Sequence, residues 1–232
     1  MTILPLQAFG LGDIIFSMTL VKRIANGNPI VWGCLPAFVE GLNRAYPDVT
    51  FVDYTTLGID YNCKEHKEIY HAEYGLCTIL PIRWADAILK VGYKDWMRAK
   101  YDLYGMDYRD WKECAMWERD YDKEVELLKM HSNNAPILVN GTFGSDCKLK
   151  STVPAIKGAI NMRVISGYSL FDWAGIIEKA TEIHTVNTSI IYLLDQLELT
   201  AKKVHIYPRS IVSQTHKGVD YLISKHNYIY HG

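Results

Sequence analysis

An acid at the end of a glycine turn is the first feature of this sequence that could do chemistry. In the stretch FGLGDIIFSMTLVKRIA, Gly10 and Gly12 precede Asp13. The apolar segment before the turn has strand length, and the apolar residues after it recur at helical spacing, so the pattern predicts strand, turn and helix. A helix N-terminus of this kind often binds a phosphate, which a carboxylate would repel. We therefore expect Asp13 either to cap the helix or to stay ionised as a general base.

The same turn does not match the common nucleotide-binding motifs. A dinucleotide fingerprint requires a third glycine where Ile15 stands, and an acid near the end of the second strand, where the chain has Trp32, Gly33 and Cys34. The sequence also contains no Gly-x4-Gly-Lys-Ser/Thr loop and no Gly-x-Ser-x-Gly elbow. A Rossmann-type enzyme acting on a small molecule is therefore disfavoured, and an acyl hydrolase is not indicated.

Two segments of the second half carry polar groups suited to a phosphorylated ligand. The segment VNGTFGSDCKLKS contains Thr142, Lys148 and Lys150 directly after a predicted strand, and its lysines could stabilise a departing nucleoside diphosphate. In NTSIIYLLDQL, a helix that begins near Thr188 would direct its free N–H groups at phosphates, and Asn187 could bond sugar hydroxyls. The structural alternative is exposed loop lysines and ordinary helix caps.

Together these motifs resemble the heptosyltransferase-like glycosyltransferases, which have the GT-B fold. The Gly-x-Gly-Asp turn of that family is matched by Gly10, Gly12 and Asp13, and its two donor-binding segments are matched by the two segments described above. The resemblance implies a catalytic base at Asp13. It implies donor-binding residues at Gly12, Thr142, Lys148, Lys150, Asn187, Thr188, Ser189 and Tyr192.

Three departures from that family indicate a compact and diverged member. Asn187 stands where the family has an acid, Ser189 where it has a glycine, and Tyr192 where it usually has a histidine. A catalytically inactive nucleotide- or sugar-binding module of the same fold would show similar changes, so it remains the main alternative to a transferase.

Alternating strands and helices predict an α/β protein with two Rossmann-like βαβ halves that face a cleft, and a single irregular sheet is the alternative. Strands of the second half are predicted at 137–141, 162–166, 182–186 and 203–208. The many aromatic residues between Trp84 and Met130 are expected to pack helices rather than to bind a ligand. The polar segment 132–136 is the best linker, which gives an acceptor domain over residues 1–134 and a donor domain over residues 135–232. Apolar residues on one face of 211–226 predict a C-terminal amphipathic helix.

Other groupings of polar residues are weaker candidates for a site. Asp120-Tyr121-Asp122 matches an Asp-x-Asp metal motif, but it lies in a charged helical stretch, where a solvated helix face is expected. The acids and histidines between Glu65 and Glu73 fit no recognised ligand spacing, so no metal site is predicted. His71, at the end of a predicted strand, is the candidate for acceptor binding.

Composition is that of an ordinary globular protein, and no cofactor besides the nucleotide sugar is expected. The chain has 232 residues, an apolar fraction of 49% and a net charge of −1, which argues against a general polyanion binder. Its five cysteines are scattered without a Cys-x-x-Cys pair, which favours reduced thiols, and no signal peptide or membrane span is visible, so a cytoplasmic location is expected.

The sequence therefore predicts a metal-independent glycosyltransferase. It would move a hexosyl, pentosyl or heptosyl group from a nucleotide-activated sugar to an acceptor hydroxyl. The acceptor could be a glycan, a lipid-linked sugar or a modified nucleic-acid base. The last is included because the compact size and high tyrosine content are similar to those of virus-encoded enzymes, for which the location would be the host cytoplasm.

Overall fold

The computed structural model of the chain describes residues 1–92, 95–131, 137–141, 152–209 and 220–231. They belong to two compact units, Met1–Glu118 and Arg119–Gly232. Each unit is built around parallel β-sheet, which agrees with the predicted α/β class. None of the helices in these ranges combines the length and the apolar character needed to cross a lipid bilayer.

The sheet of the first unit is mostly parallel. Its strands are β1 (Thr2–Pro5), β2 (Val31–Cys34), β3 (Thr50–Asp53), β4 (Lys67–His71) and β5 (Gly75–Leu80). β1 pairs in parallel with β5, β2 pairs in parallel with β3, and an isolated parallel bridge from Ile3 to Ile30 connects the two pairs. β4 runs antiparallel to β5, as a hairpin requires. The carboxyl ends of β1 and β5 therefore meet at one edge of the sheet.

Four helices accompany these strands in the first unit: α1 (Leu11–Ala25), α2 (Pro36–Ala45), α3 (Ala85–Leu89) and α4 (Trp96–Asp102). α1 is the most buried of them, because its apolar residues continue through Ile14, Phe16, Met18 and Val21 without an exposed turn. Its C-terminus is closed by Asn26 in a left-handed conformation, which is the usual geometry of a helix end.

The aromatic segment that follows β5 packs over α1. The Tyr101 hydroxyl donates to the Phe16 carbonyl at 2.8 Å, and the Thr19 hydroxyl donates to the Trp111 carbonyl. The rings of Tyr101 and Trp111 also contact the ring of Phe16. These aromatic residues are therefore packing residues of α1, as the sequence indicated, and their hydrogen bonds fix the helix to chain made some 80–90 residues later.

The second unit contains one five-stranded, fully parallel sheet in the order β10-β9-β8-β6-β7. Its elements, in chain order, are α5 (Tyr121–Met130), β6 (Ile137–Asn140), β7 (Ile160–Asn161), α6 (Ala174–Lys179), β8 (Glu182–Val186), α7 (Ile190–Leu194), β9 (Lys203–Tyr207) and β10 (Tyr228–Tyr230). The predicted strands at 137–141, 182–186 and 203–208 appear as β6, β8 and β9. The strand predicted at 162–166 does not form; β7 is two residues long and ends at Asn161.

The division between the units lies at Glu118 and Arg119 rather than at the predicted boundary of 134 and 135. The reason is that α5 packs against α6 of the second unit. Arg119 donates to Glu124 of α5 at 2.7 Å and to Glu178 of α6 at 2.8 and 2.9 Å. The hydrogen bond to Glu124 is the main cause that raises the pKa of Arg119 above its ordinary value. The polar segment 132–136, taken as the linker, lies outside the described residues.

The C-terminal amphipathic helix predicted at 211–226 falls partly on residues 210–219, which lie outside the described residues. The described remainder, 220–226, forms turns and bends, and β10 follows it. Asp195 explains this path, because its Oδ1 accepts from the backbone N–H groups of Ser224 and Lys225 and from the Tyr228 hydroxyl, at 2.8–2.9 Å. These backbone N–H groups are bonded to a side chain and not to a helical carbonyl.

Replacing Arg119 by methionine tests the assignment of α5 to the second unit. The change keeps the apolar stem but leaves the Glu124 carboxylate, whose side chain is 5% exposed, without its cation. We expect a loss of about 3 kcal/mol in the free energy of unfolding of this unit, the low end for breaking a buried pair. Hydrogen exchange measured by mass spectrometry should show faster exchange in α5 and α6.

The control is Arg109→Met, which removes an exposed pair with Asp107 in the first unit. It should leave the free energy of unfolding almost unchanged, because an exposed ion pair contributes little to stability. Equal effects of the two substitutions would show that the Arg119 cluster does not join α5 to α6.

Candidate functional site

Asp13 lies in the first turn of α1, and its carboxylate faces a buried lysine. The Asp13 Oδ1 atom is 3.3 Å from the Lys100 Nζ atom, and the side chains are 15% and 2% exposed. Lys100 also donates to the Gln7 side-chain oxygen at 2.7 Å and to the Ile82 carbonyl at 3.4 Å. An ammonium group buried in this way needs a charged partner. The pair therefore stabilises the ionised form of Asp13, in addition to the helix N-terminus.

Gly10 is required for the position of the Asp13 carboxylate. Gly10 precedes α1 with a φ angle of +79°, which is costly for any residue with a Cβ atom. A Cβ atom added at Gly10 would lie 2.5 Å from Asp13 Oδ2. Of the two glycines in the motif, Gly10 makes the turn, whereas Gly12, predicted to be near the donor, is the second residue of α1.

Asp13 lies beyond the carboxyl edge of the first sheet, where α/β proteins usually bind ligands. It follows β1, and Arg83 follows the neighbouring parallel strand β5. The Arg83 guanidinium lies 4.9 Å from the centre of the Phe9 ring and 4.7 Å from that of Trp84. This stacking holds a cation at the same sheet edge as Asp13. The first unit therefore places the Asp13 carboxylate and the Arg83 guanidinium at this edge.

His71, predicted to bind the acceptor, is not brought together with Asp13. It ends β4 and pairs with Gly75 at the beginning of β5, whereas Asp13 lies beyond the opposite, carboxyl edge of the same sheet. Its Nδ1 accepts from the backbone N–H of Glu73 at 3.2 Å, and its Nε2 is 3.1 Å from the Leu57 carbonyl. Nδ1 therefore stabilises the turn between β4 and β5, whereas Nε2 joins this turn to the earlier chain at Leu57.

Cys34 is the last residue of β2, so it lies at the carboxyl end of a strand of this sheet. Burial raises the pKa of its thiol to about 12, with a smaller contribution from Asp53. At neutral pH the group is therefore protonated, and a thiol of this kind is not a nucleophile.

The second unit places Asn187 and Arg209 at the carboxyl edge of its own sheet. Asn187 follows β8, and its side chain is largely buried; Arg209 follows the neighbouring strand β9. The Arg209 Nε atom donates to the Asn187 carbonyl at 2.7 Å, and the Asn187 N–H donates to the Tyr207 carbonyl at 2.9 Å. These bonds hold a guanidinium beside the segment that the sequence assigns to the donor.

Thr188 and Ser189 are partly exposed between β8 and α7, and neither side chain caps the helix. α7 is only five residues long, Ile190–Leu194, and not the long helix that the sequence predicted. Tyr192 lies within α7 and is 4% exposed, so its ring is part of the interior. Asn187, Thr188 and Ser189 are thus grouped at the sheet edge, whereas Tyr192 points away from solvent.

Thr142, Lys148 and Lys150 lie outside the described residues. The residues on both sides of their segment are described, and both are at the edge that contains Asn187. Gly141 follows the end of β6, which pairs with β8, and the Thr152 hydroxyl donates to the carbonyl of Pro208, beyond the end of β9. Gly141 and Thr152, the described residues that flank this segment, therefore both lie at the edge of the sheet that contains Asn187.

The Asp-x-Asp alternative has a structural explanation. Asp120 is the N-cap of α5, and its side chain accepts from the Lys123 N–H at 3.1 Å. Asp122 is an exposed acid in the first turn of the same helix. Acids at these positions are stabilised by the N-terminal end of a helix, which agrees with the prediction of a solvated helix face.

Comparison with known proteins supports the fold and gives no family. No protein-family model and no curated protein matches the chain. Among solved structures, 99% of the chain aligns with 86% of a glycosyl transferase of family 9 from Veillonella parvula DSM 2008, at 10% identity and a TM-score of 0.51. A second is the iron-containing dodecameric glycosyltransferase TibC from enterotoxigenic E. coli H10407, at 9% identity and a TM-score of 0.50.

The chain spans only part of TibC, because 92% of its residues cover 61% of that protein. At these identities the likeness shows the fold alone: a mixed α/β protein with parallel sheets, similar to family 9 glycosyltransferases of the GT-B fold.

Four residues near the candidate sites were not predicted from the sequence: Lys100, Arg83, Gln7 and Arg209. The sequence signal for Arg209 was its place just after a predicted strand, whereas nothing near Lys100 marks it as a partner of Asp13.

A double-mutant cycle should measure the interaction between Asp13 and Lys100. The four proteins are the wild type, Asp13→Asn, Lys100→Met and the double variant, unfolded in urea. We expect a coupling energy of about 1–3 kcal/mol, because the lysine is nearly fully buried. Tryptophan fluorescence reports mainly on the first unit, since five of the six tryptophans precede Arg119.

Arg98 and Asp102 provide the control pair, since they lie on the same helix α4 but are 51% and 37% exposed. Their coupling should be no more than about 0.5 kcal/mol. A coupling between Asp13 and Lys100 as small as that of the control would mean that the lysine does not stabilise the carboxylate.

Proposed function

We propose that the protein is a glycosyltransferase that moves a sugar from a nucleotide-activated donor to an acceptor hydroxyl, with Asp13 as general base. The observation that carries the proposal is the Asp13 carboxylate. Its Oδ1 atom lies 3.3 Å from the Nζ atom of the buried Lys100, beyond the carboxyl edge of a sheet, in a fold similar to that of family 9 glycosyltransferases. A carboxylate in this setting can accept a proton, which a simple helix cap does not need to do.

In the proposed reaction the acceptor binds to the first unit. Asp13 accepts the proton of the acceptor hydroxyl while the oxygen attacks the anomeric carbon of the donor sugar, and the bond from that carbon to the nucleotide diphosphate breaks. Lys100 is a positioning residue, because it touches Asp13 and not the reacting atoms. Arg83, fixed between two aromatic rings, supplies a positive charge beside the acceptor.

The donor is proposed to bind to the second unit. Asn187, Thr188 and Ser189 are candidates for the sugar and ribose hydroxyls, and Arg209 for the diphosphate, whose negative charge grows as it leaves. Thr142, Lys148 and Lys150 are proposed to bind the donor as well, since the described residues on both sides of their segment, Gly141 and Thr152, lie at this edge. The roles of Gly12 and Tyr192 at the donor and of His71 at the acceptor stay predictions, although Tyr192 is 4% exposed and His71 lies at the edge of its sheet opposite to Asp13.

The transfer step is proposed to need no metal and no cofactor besides the nucleotide sugar, since side-chain cations would neutralise the diphosphate. Assays of a panel of nucleotide sugars would identify the nucleotide and the sugar of the donor. The same assays with and without a chelator would test whether a metal is needed. The acceptor classes to be tested are glycans, lipid-linked sugars and modified nucleic-acid bases.

Replacing Asp13 by asparagine should remove the base and preserve the fold. The side-chain oxygen of asparagine can still accept a hydrogen bond from Lys100, so the fold and donor binding measured by calorimetry should persist. Transfer should slow by about 10²–10⁴-fold, the usual contribution of a general base. The control is Asp122→Asn, another first-turn acid, which is exposed on α5 and should leave transfer unchanged. Transfer at the wild-type rate in Asp13→Asn would contradict the proposed mechanism.

The substitution Gly10→Ala should impair the function of Asp13 while Asp13 itself stays in the sequence. Its Cβ atom would displace the carboxylate, so we expect the transfer rate to fall by at least about tenfold, because small misplacements of a reacting group are costly. Gly27→Ala is the matched control. Gly27 has nearly the same φ angle, +82°, but nothing lies within 4 Å of an added Cβ atom. Both variants should lose about 1–2 kcal/mol of stability from the left-handed backbone, whereas only Gly10→Ala should lose activity.

The alternative of a silent binding module predicts a different pattern in the same experiments. A module would bind a nucleotide sugar with measurable affinity but would neither transfer nor hydrolyse it with any acceptor of the panel. In that case Asp13→Asn and Gly10→Ala would change stability and leave donor affinity as in the wild type.

A further inference from the structure

One face of the second sheet carries a cluster of imidazole groups that the proposed transfer reaction does not use. His184 on β8 and His205 on β9 are register partners, so their side chains leave neighbouring parallel strands on the same face. Their rings are stacked, with centres 4.4 Å apart and an angle of 4° between the planes. Glu182, two residues before His184 on β8, lies on the same face.

The three side chains present their ligand atoms to one another. The Glu182 Oε1 atom is 3.0 Å from His184 Nε2 and 3.3 Å from His205 Nε2, and one atom from each residue lies within 4.8 Å of the other two. In a tetrahedral site with metal–ligand distances of about 2.0–2.2 Å, neighbouring ligand atoms are about 3.3–3.6 Å apart. The carboxylate and the two imidazoles therefore already have nearly the separations of ligands that share one ion.

The other nitrogen of each histidine is bonded to a group that can act as a second shell. His184 Nδ1 is 3.0 Å from the Tyr207 hydroxyl, and His205 Nδ1 is 2.9 Å from His231 Nε2. A hydroxyl and an imidazole nitrogen can both accept a hydrogen bond from Nδ1–H. That tautomer leaves the Nε2 lone pair of each ligand directed at Glu182, and such outer partners are typical of histidines that bind metals.

We propose that Glu182, His184 and His205 bind a divalent transition-metal ion of the zinc class. Two imidazoles and one carboxylate form a set of borderline and hard ligands that suits zinc and its neighbours better than Mg²⁺ or Ca²⁺, which prefer oxygen. The parallel rings must tilt toward each other for both lone pairs to reach one ion, which requires only rotation about side-chain bonds. A fourth position remains for water.

The ion would have a structural role. The ion would lie away from the residues of the proposed transfer site. Asn187 is three residues after His184, which is about 10 Å along the strand at about 3.3 Å per residue. Asp13 belongs to the other unit. Binding would instead join β8 to β9. Through the bond of His205 with His231, it would also join the residue that follows β10. This proposal is independent of the transferase proposal, because neither its residues nor its test involves sugar transfer.

Zinc titration of the full chain tests the site directly. The protein is prepared without a polyhistidine tag, treated with chelator and titrated with ZnCl₂, and in parallel with MgCl₂, in a calorimeter. We expect saturable binding of one Zn²⁺ per chain, no binding of Mg²⁺ and a higher melting temperature with zinc. Glu182→Gln, His184→Gln and His205→Gln should each weaken zinc affinity at least about tenfold, and Tyr207→Phe about 10–100-fold. The control, His66→Gln, replaces an exposed histidine of the first unit and should change nothing.

A second measurement keeps the proposal testable if a ligand variant fails to fold. Nitrogen NMR of the wild type with labelled histidine should show zinc shifting the Nε2 signals of two histidines and leaving that of His66 in place. The absence of saturable zinc binding by the folded wild type would overturn the proposal and leave a hydrogen-bonded cluster only. Zinc binding of unchanged affinity in folded His184→Gln and His205→Gln would overturn it equally.

Discussion

The interaction on which the first unit depends most is the burial of the Lys100 ammonium group beside Asp13. A charged amine that is almost completely removed from water is tolerated only where its partners are in place. Here the partners are the Asp13 carboxylate, the Gln7 side-chain oxygen and the Ile82 carbonyl. They come from the first turn of α1 and from the chain just beyond β1 and β5. One lysine therefore fixes the relative positions of three segments that meet at the sheet edge, and Gly10 keeps the space that the carboxylate needs.

The two units differ in the way they present charge. The first holds its carboxylate with a buried cation, and the second holds the Arg209 guanidinium with the Asn187 backbone carbonyl. A carboxylate can accept a proton, whereas a guanidinium is a planar set of N–H donors that suits an anion. The placement of these groups follows from parallel sheets, because the ends of neighbouring parallel strands gather their following residues at one edge.

Sequence reasoning reached the strands and failed where distant segments meet. The runs ILVN, EIHTV and KVHIY are short, apolar and bounded by polar residues, so local pattern is enough to predict β6, β8 and β9. Asp13 was found for the same reason, since the glycine turn and the helix that position it are adjacent in sequence. Lys100 was missed because α4 is only seven residues long and a lysine there is indistinguishable from a solvent-exposed one.

The sequence also did not predict which side chains become neighbours through the register of the strands. His184 and His205 were read as strand residues, and only the pairing of β8 with β9 shows that they are neighbours. Asp195 was read as part of a long helix. Its buried carboxylate instead accepts from residues 224, 225 and 228, about thirty positions later, and the described chain there follows that carboxylate.

The separation of Asp13 from Lys100 in the chain has a consequence for the order of folding. Nearly ninety residues lie between the two partners, and the Phe16–Tyr101 and Thr19–Trp111 bonds span similar distances. Closing so large a loop is slow compared with forming a local helix. At a synthesis rate of about 5–20 residues per second, a ribosome makes Asp13 on the order of ten seconds before Lys100. During that interval the segment of α1 lacks the residues that cover it in the folded unit, so a nascent chain of this protein exposes an apolar segment until α4 has emerged.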